Sequence, residues 1–404
     1  MILNKMTKAA TSWRLLLFLV CFGVVTSQCS SDNIAGTNLN PNSNTVFTDT
    51  LYIDGISAES YDTYTGSLEF IAIGNYADAL FGNIETLGIF RPNLQQETDF
   101  DTLLPTDRFI MNLSFDEVTY GDTTAESAYT IYQITNDWRD QSWRSSDQVM
   151  YDEANPIGSF TKTHQQDSLE VVLGQAFVER YADFYNDTSA TARSQYIEDF
   201  PGFVIVPEAG NNAISYIQRV RSQFTIISAT DTMTQSILHS AYSLNRESSA
   251  AQLDSRPLLT PFQSVLEFDT TGIYEMAKDK KLVNAELVFS VDTTLLQQSL
   301  SNGHFREEIL LGQVISEFGL DSAFTLSFGT IDNISTFLLG SQDGAFRTSI
   351  STFVNEIVFG TPQREELVFA LRSSNGKIFS TQIFDERAID LTKRPQIVFT
   401  FLEL

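Results

Sequence analysis

The chain has 404 residues, with 51 acidic against 25 basic side chains and a formal charge of −26. That balance argues against nucleic acid and anionic lipid surfaces as partners, since both select for Lys and Arg. Thirty-one Phe and fourteen Tyr are too many for a disordered polyelectrolyte, so a packed core is expected despite the charge.

Lys5, Lys8 and Arg14 precede an apolar run of eleven residues, Leu15 to Val25, and Cys29 follows a Thr-Ser-Gln stretch. This is the layout of a secretory signal over residues 1–28. Eleven residues at about 1.5 Å each fall well short of the ~30 Å hydrocarbon core, so a retained span is the poorer reading. Two cleavage sites compete. Signal peptidase I, reading Val25 and Ser27, would cut before Gln28 and release a soluble chain with one free thiol. Alternatively, Cys29 resembles a lipobox cysteine, which is acylated and becomes the first mature residue. The second is favoured, because Cys29 is the only cysteine after the signal and a lone thiol in an oxidising compartment invites unwanted chemistry.

Several acyl chains on one cysteine anchor a protein stably, each buried CH₂ contributing roughly 0.8 kcal/mol, so the lipid bilayer is the first expected partner. Ser30 beside the cysteine resembles an outer-membrane address, on the periplasmic or the cell-surface face. Residues 29–44, rich in Ser, Asn, Gly and Pro, read as anchor and flexible tether. Removing the three basic residues of the signal leaves 22, and a mature charge of −29. Glu97, Asp99 and Asp101 are the best local candidates for a cation, without the Asp-x-Asp-x-Asp-Gly loop that a calcium site would show. No cofactor is expected.

Residues 45–165 read as β. Ser67-Leu-Glu-Phe-Ile-Ala-Ile-Gly is strand-like, and Phe109, Met111, Leu113 and Phe115 recur at period two on one face of a half-buried strand. A turn at Gly121-Asp122 leads into a strand from Ser127. Residues 166–200 then change pattern. Asp167-Ser168 reads as a helix cap, with Leu169, Val172, Leu173, Ala176, Phe177, Tyr181 and Phe184 at helical spacing to about Tyr185, and a second helix runs from about Ala190 to Glu198. This helical insertion is expected to pack its apolar stripe on a sheet.

From residue 201 the chain returns to β, with Phe203-Val-Ile-Val, Ile214-Ser-Tyr-Ile and Phe224-Thr-Ile-Ile as short strands. Ser248 to Pro261 reads as a linker ending the region 201–260. Strand signals continue through 261–404 to Gln396-Ile-Val-Phe-Thr-Phe. Leu113-Ser-Phe-Asp before Ser127-Ala-Tyr-Thr-Ile-Tyr is weakly echoed by Leu266-Glu-Phe-Asp before Asn284-Ala-Glu-Leu-Val-Phe, which hints at duplicated β units.

Thr48-Asp-Thr-Leu, Ala72-Ile-Gly-Asn-Tyr-Ala-Asp-Ala-Leu-Phe-Gly, Phe200-Pro-Gly-Phe-Val-Ile-Val and Lys393-Arg-Pro-Gln-Ile-Val-Phe-Thr resemble an uncharacterised lipoprotein family of the Bacteroidetes, the domain of unknown function four-two-seven-zero. The resemblance spans most of the mature chain. It implies a surface or periplasmic lipoprotein of β-rich fold and supplies no catalytic residues. The Phe-Asp/Asn-Ala-Glu-Leu unit is also faintly similar to jelly-roll carbohydrate-binding domains.

Most catalytic signals are missing. His164, His239 and His304 are the only histidines, and none has another at ligand spacing, so a zinc site would need them to converge by folding. No Gly-x-Ser-x-Gly elbow, His-Glu-x-x-His, phosphate loop or dinucleotide fingerprint occurs. Two distant carboxylates of a glycosidase would leave no local motif. The remaining candidate is aromatic. Trp138 and Trp143 lie close together with Arg139, Asp140 and Arg144, and Tyr132 and Tyr151 flank them. Exposed indole faces stack on sugar rings while Asp and Arg bond hydroxyls, so this stretch is a candidate glycan platform; the competing reading is that the two Trp close the end of a core, with an Arg stacked on one.

The expectation is therefore a mainly β protein, jelly-roll-like, with one or more antiparallel sandwiches and a helical insertion. It would be anchored at the outer membrane and bind or assemble with a partner membrane protein. A carbohydrate-binding module using Trp138 and Trp143 is the alternative, and a glycosidase with dispersed carboxylates a third reading.

Overall fold

The computed structural model describes residues 45–54, 57–61, 63–78, 81–96, 100, 102–247, 255–259, 263–267, 271–292, 309–315, 336–342, 344–360, 366–371 and 375–403. The segments read as signal and tether, with Cys29, and His304 and the cation candidates Glu97, Asp99 and Asp101 lie outside them. The first strands are β1 (Val46–Tyr52), β2 (Ser57–Tyr61), β3 (Phe70–Asp78), β4 (Gly82–Pro92), β5 (Arg108–Gly121) and β6 (Ser127–Ile134). Next come β7 (Tyr151–Lys162), β8 (Ser168–Val172), helices α1 (Gln175–Tyr185) and α2 (Ala192–Asp199), β9 (Phe203–Pro207), β10 (Ala213–Gln218), β11 (Gln223–Ile227) and β12 (Thr232–Arg246). The remaining elements are β13 (Ser255–Leu259), β14 (Gln263–Glu267), α3 (Thr271–Ala277), β15 (Lys281–Ser290), β16 (Ile309–Ile315), β17 (Thr336–Gln342), β18 (Ala345–Ser349), α4 (Ser351–Phe359), β19 (Glu366–Leu371), β20 (Ser380–Phe384) and β21 (Gln396–Leu402).

The fold is mainly β, antiparallel and sandwich-like. One sheet has ten strands, ordered β12-β11-β5-β10-β3-β4-β9-β6-β7, with β8 added beside β5. Because β12 also pairs with β4, six of these strands close into a ring. A second sheet has nine strands, ordered β1-β21-β15-β18-β17-β16-β19-β14-β2, and β13 pairs with β20. The two echoed segments fall in different sheets, β5 to β6 in the first and β14 to β15 in the second.

Period two holds where it was clearest. Phe109, Met111, Leu113 and Phe115 on β5 are all buried in the main core, with Ile71, Ile73, Phe90, Phe203 and Phe224 from neighbouring strands. Helix α1 enters the same core. Phe177 and Tyr181 meet the Phe109 ring edge-on, with centroids 5.4 and 4.9 Å away. The phenol groups buried with them find acceptors, Tyr181 on the Asn93 carbonyl at 2.7 Å and Tyr196 on the Pro92 carbonyl at 2.6 Å.

Two expectations need correction. Helix α1 starts at Gln175, and Ser168–Val172 is instead strand β8, paired antiparallel with Ile110–Ser114 of β5. The helical reading pairs Leu169 with Val172, but Val172 is exposed and Leu169 and Val171 sit inward at period two instead; pairing with the edge of β5 decides for the strand, and Gly174 ends it. Within the expected linker, Ser255–Leu259 forms β13 on β20, with Pro257 inside a two-stranded ribbon where a missing N–H donor is tolerated.

Candidate functional site

Two polar clusters stand out, and strand register builds both. The first lies on the ten-stranded sheet, apart from the main core. Leu87 and Ile89 of β4, Ala241 of β12, Val204 of β9 and Ile134 of β6 form a small apolar patch, and Trp138, Trp143 and Val149 cover it. In register with this patch, Arg91 of β4 sits directly opposite His239 of β12.

Trp138 and Trp143 are 4 % and 6 % exposed and meet edge-on at 6.0 Å, so neither offers a face for a sugar ring to stack on. The indole N–H of Trp138 donates to the Pro201 carbonyl at 2.6 Å, and the guanidinium lying over its ring at 5.3 Å belongs to Arg91, not to Arg139 or Arg144. Arg144 instead lies over Tyr64 at 5.5 Å, Arg139 is exposed, and Tyr132 and Tyr151 stack on each other at 5.2 Å. Trp138 and Trp143 thus form a plug over the sheet, with Tyr132 and Tyr151 packed against the same patch. Burying the aromatic bodies removes more apolar area from water than a surface platform would.

Asp140, expected at the edge of a platform, is buried. One carboxylate oxygen accepts from His239 Nδ1 at 2.8 Å and from the Ser67 hydroxyl at 2.5 Å, and the other from the Gln141 amide at 2.9 Å. A Cβ on Gly66 would sit 1.6 Å from the Asp140 carbonyl oxygen, so the cover and the segment before β3 touch backbone to backbone. Ser, His and Asp meet here, yet the serine proton goes to the carboxylate and not to the imidazole, which is the wrong order for nucleophile activation. Burial raises the Asp140 pKa, but hydrogen bonds from His239 and Ser67, the His239 charge and the Gln141 amide together bring it down to about 2. A depressed carboxylate contributes stability that is complete above its unfolded value of 3.8 and is lost as pH falls towards about 2. Acid titration of unfolding should therefore show the wild type losing on the order of 2 kcal/mol between about pH 4 and 2 that Asp140→Asn does not lose.

The second cluster is a cleft of about 630 Å³, within the roughly 300–1,000 Å³ range of small-ligand sites. It is lined by Phe115, Asp116 and Glu117 of β5, the turn His164-Gln165-Gln166-Asp167, Gln218 of β10 and Arg221. A regular strand sends successive side chains to opposite faces, so Asp116 and Glu117 could not both face one cleft. A bulge solves this. Between the pairs Phe115↔Ile217 and Thr119↔Ser215, three residues of β5 stand opposite Tyr216 alone. The Asp116 carboxylate accepts from the Val118 amide at 3.0 Å and so closes the bulge on itself. A second irregularity follows on the facing strand, where residues 219–222 swing out between β10 and β11 and carry Arg221 to the rim.

The walls are tied down. Asp116 pairs with Lys377 at 2.8 Å, and the segment bearing Lys377 is docked by the Tyr216 hydroxyl, which donates to the Ile378 carbonyl at 3.1 Å. Gln218 donates to Asp116 at 3.4 Å, His164 Nδ1 pairs with the Thr119 hydroxyl at 3.0 Å, and the Phe115 amide donates to the Asp167 carbonyl at 2.8 Å. By contrast, the side chains of Glu117, Gln165 and Arg221 make no hydrogen bond or ion pair with other described residues. Phe115 is buried, with Lys162 over its ring at 4.8 Å, so the cleft has no aromatic stacking face.

Local motifs missed Arg91, Ser67 and His239 around Asp140, and every residue of the cleft. Only the β4–β12 register and the β5 bulge bring these residues together, and neither leaves a pattern in the sequence. Among the described residues no group of three or more His, Cys, Asp or Glu is placed to hold a metal ion. No family model matches the chain, and no curated protein does.

Proposed function

We propose that this protein is an exported binding or assembly component, held at the outer membrane through acylated Cys29 and acting without catalysis. The observation that carries the binding half is the cleft: rigid walls held by mutual hydrogen bonds, with a rim of uncommitted polar groups. Such an arrangement holds a ligand at low ordering cost. The clusters of nucleophile and base do not suit reaction. At Asp140 the serine hydroxyl donates to the carboxylate and not to the imidazole, and in the cleft Asp116 is engaged by a lysine. The anchoring half rests on the positive leader, the eleven-residue apolar run and the isolated Cys29. The acidic, mutually repelling surface suits an extracytoplasmic protein on a flexible tether.

Growth with a clickable fatty acid tests the anchor. The wild-type chain should take up the label and fractionate with outer membranes, and Cys29→Ser should lose both label and membrane association. An unlabelled wild type that begins at Gln28 would replace this reading with that of a soluble exported protein.

A further inference from the structure

We infer that the cleft between the β5 bulge, the 164–167 turn and Arg221 is a binding site for a neutral polyhydroxylated ligand, such as a segment of an oligosaccharide, held by hydrogen bonds alone. This deepens the binding role proposed above and rests on it, but not on the membrane anchor. Three features of the lining point to the ligand class. Acceptors and donors line one space from different elements: the Glu117 and Asp167 carboxylates on one side of the balance, the Arg221 guanidinium and the Gln165 and Gln218 amides on the other, and the second ring nitrogen of His164, which serves as either according to its tautomer. A sugar hydroxyl donates to a carboxylate and accepts from an amide or guanidinium at the same time, so a row of hydroxyls matches this alternation.

Charge narrows the choice. With Asp116 neutralised by Lys377, the lining still holds two carboxylates against one guanidinium, which disfavours an anionic ligand. Among the described residues no group of three or more His, Cys, Asp or Glu is placed to hold a metal ion. A neutral ligand satisfies both signs and brings no charge against the net −26 of the chain. The bulge is what makes the site possible, because it turns two consecutive carboxylates to one side and opens the sheet between β5 and β10. The buried Phe115 and the buried tryptophans leave recognition to polar contacts, which predicts a site selective for hydroxyl geometry.

The test uses the full chain, solubilised in a zwitterionic detergent without a sugar headgroup, and titrates it calorimetrically with neutral gluco-, manno-, galacto- and xylo-hexaoses and, separately, with short neutral peptides. At least one saccharide should bind. Glu117→Gln and Arg221→Ala, both at exposed positions and checked for unchanged melting, should each weaken it about tenfold or more, whereas Trp138→Phe should not. Binding of no saccharide, binding of the peptides alone, or saccharide binding untouched by both cleft variants would overturn the inference. Cleavage of a bound saccharide would sustain the ligand class and instead refute the non-catalytic reading. Saccharide binding by a chain that carries no lipid would sustain the site and refute only the anchor.

Discussion

Trp138→Ala should lower the unfolding free energy by about 3–5 kcal/mol, the cost of emptying a buried large aromatic site. The size of that loss separates a plug from a platform. A tryptophan displayed for ligand would lose within about 0.5 kcal/mol on truncation, as surface positions usually do. Here the ring is 4 % exposed, lies against Trp143 and has the Arg91 guanidinium on its face. Removing it would also leave Arg91 worse off, since that guanidinium is buried, its pKa is lowered by desolvation, and its Nε has no hydrogen-bond partner among the described residues. Trp138→Phe keeps most of the apolar body and strands only the Pro201 carbonyl, so it should cost about 1–2 kcal/mol. Urea unfolding of the three proteins orders them, and an alanine variant as stable as wild type would place Trp138 on a free surface.

Gly202→Ala should cost at least as much, through the backbone and not the core. Gly202 has φ +85°, where an L side chain loses roughly 1–2 kcal/mol. Its added Cβ would lie 2.1 Å from the Phe90 carbonyl oxygen and 3.1 Å from the Arg91 Cα, both fixed atoms of β4. Relief requires β9 to move off β4, and that breaks the register Phe90↔Phe203 as well as the Ile134 amide to Gly202 carbonyl bond at 3.1 Å. Both walls of the tryptophan plug hang on these strands. The variant should therefore melt well below wild type or accumulate insoluble, while Gly210→Ala, at φ +98° but with nothing within 4 Å of its Cβ, should pay only the backbone cost. Equal melting temperatures for the two would show that the close approach at Gly202 does not matter.

The glycine also shows how far the sequence could be read. Phe200-Pro-Gly-Phe is visible as a break between helix and strand, and the strand after it begins at Phe203 as expected. What the glycine touches is visible only in three dimensions. The same division runs through the molecule. Strands with one wet face, such as β5, declare themselves by alternation, and so does α1 once Gly174 has ended β8. Leu169 to Val172 misled because four apolar-rich residues fit both periods, and an open edge on β5 made the choice. The aromatic stretch around Trp138 was recognised as a cluster, but its exposure was not, since burial depends on a patch assembled from β4, β6, β9 and β12. The bulge at Asp116–Val118 and the connection at 219–222 carry no residue signature that places them at one cleft, so the cleft could not be found before the fold.

The most direct measurement is hydrogen exchange of the full chain with and without the saccharide that titrates most tightly. Protection concentrated at residues 115–119, 164–168 and 217–223, with none at 137–144, is the result predicted for a binding protein whose ligand lies in the cleft. Protection confined to 137–144, with the cleft unchanged, would contradict it and return the site to the tryptophans.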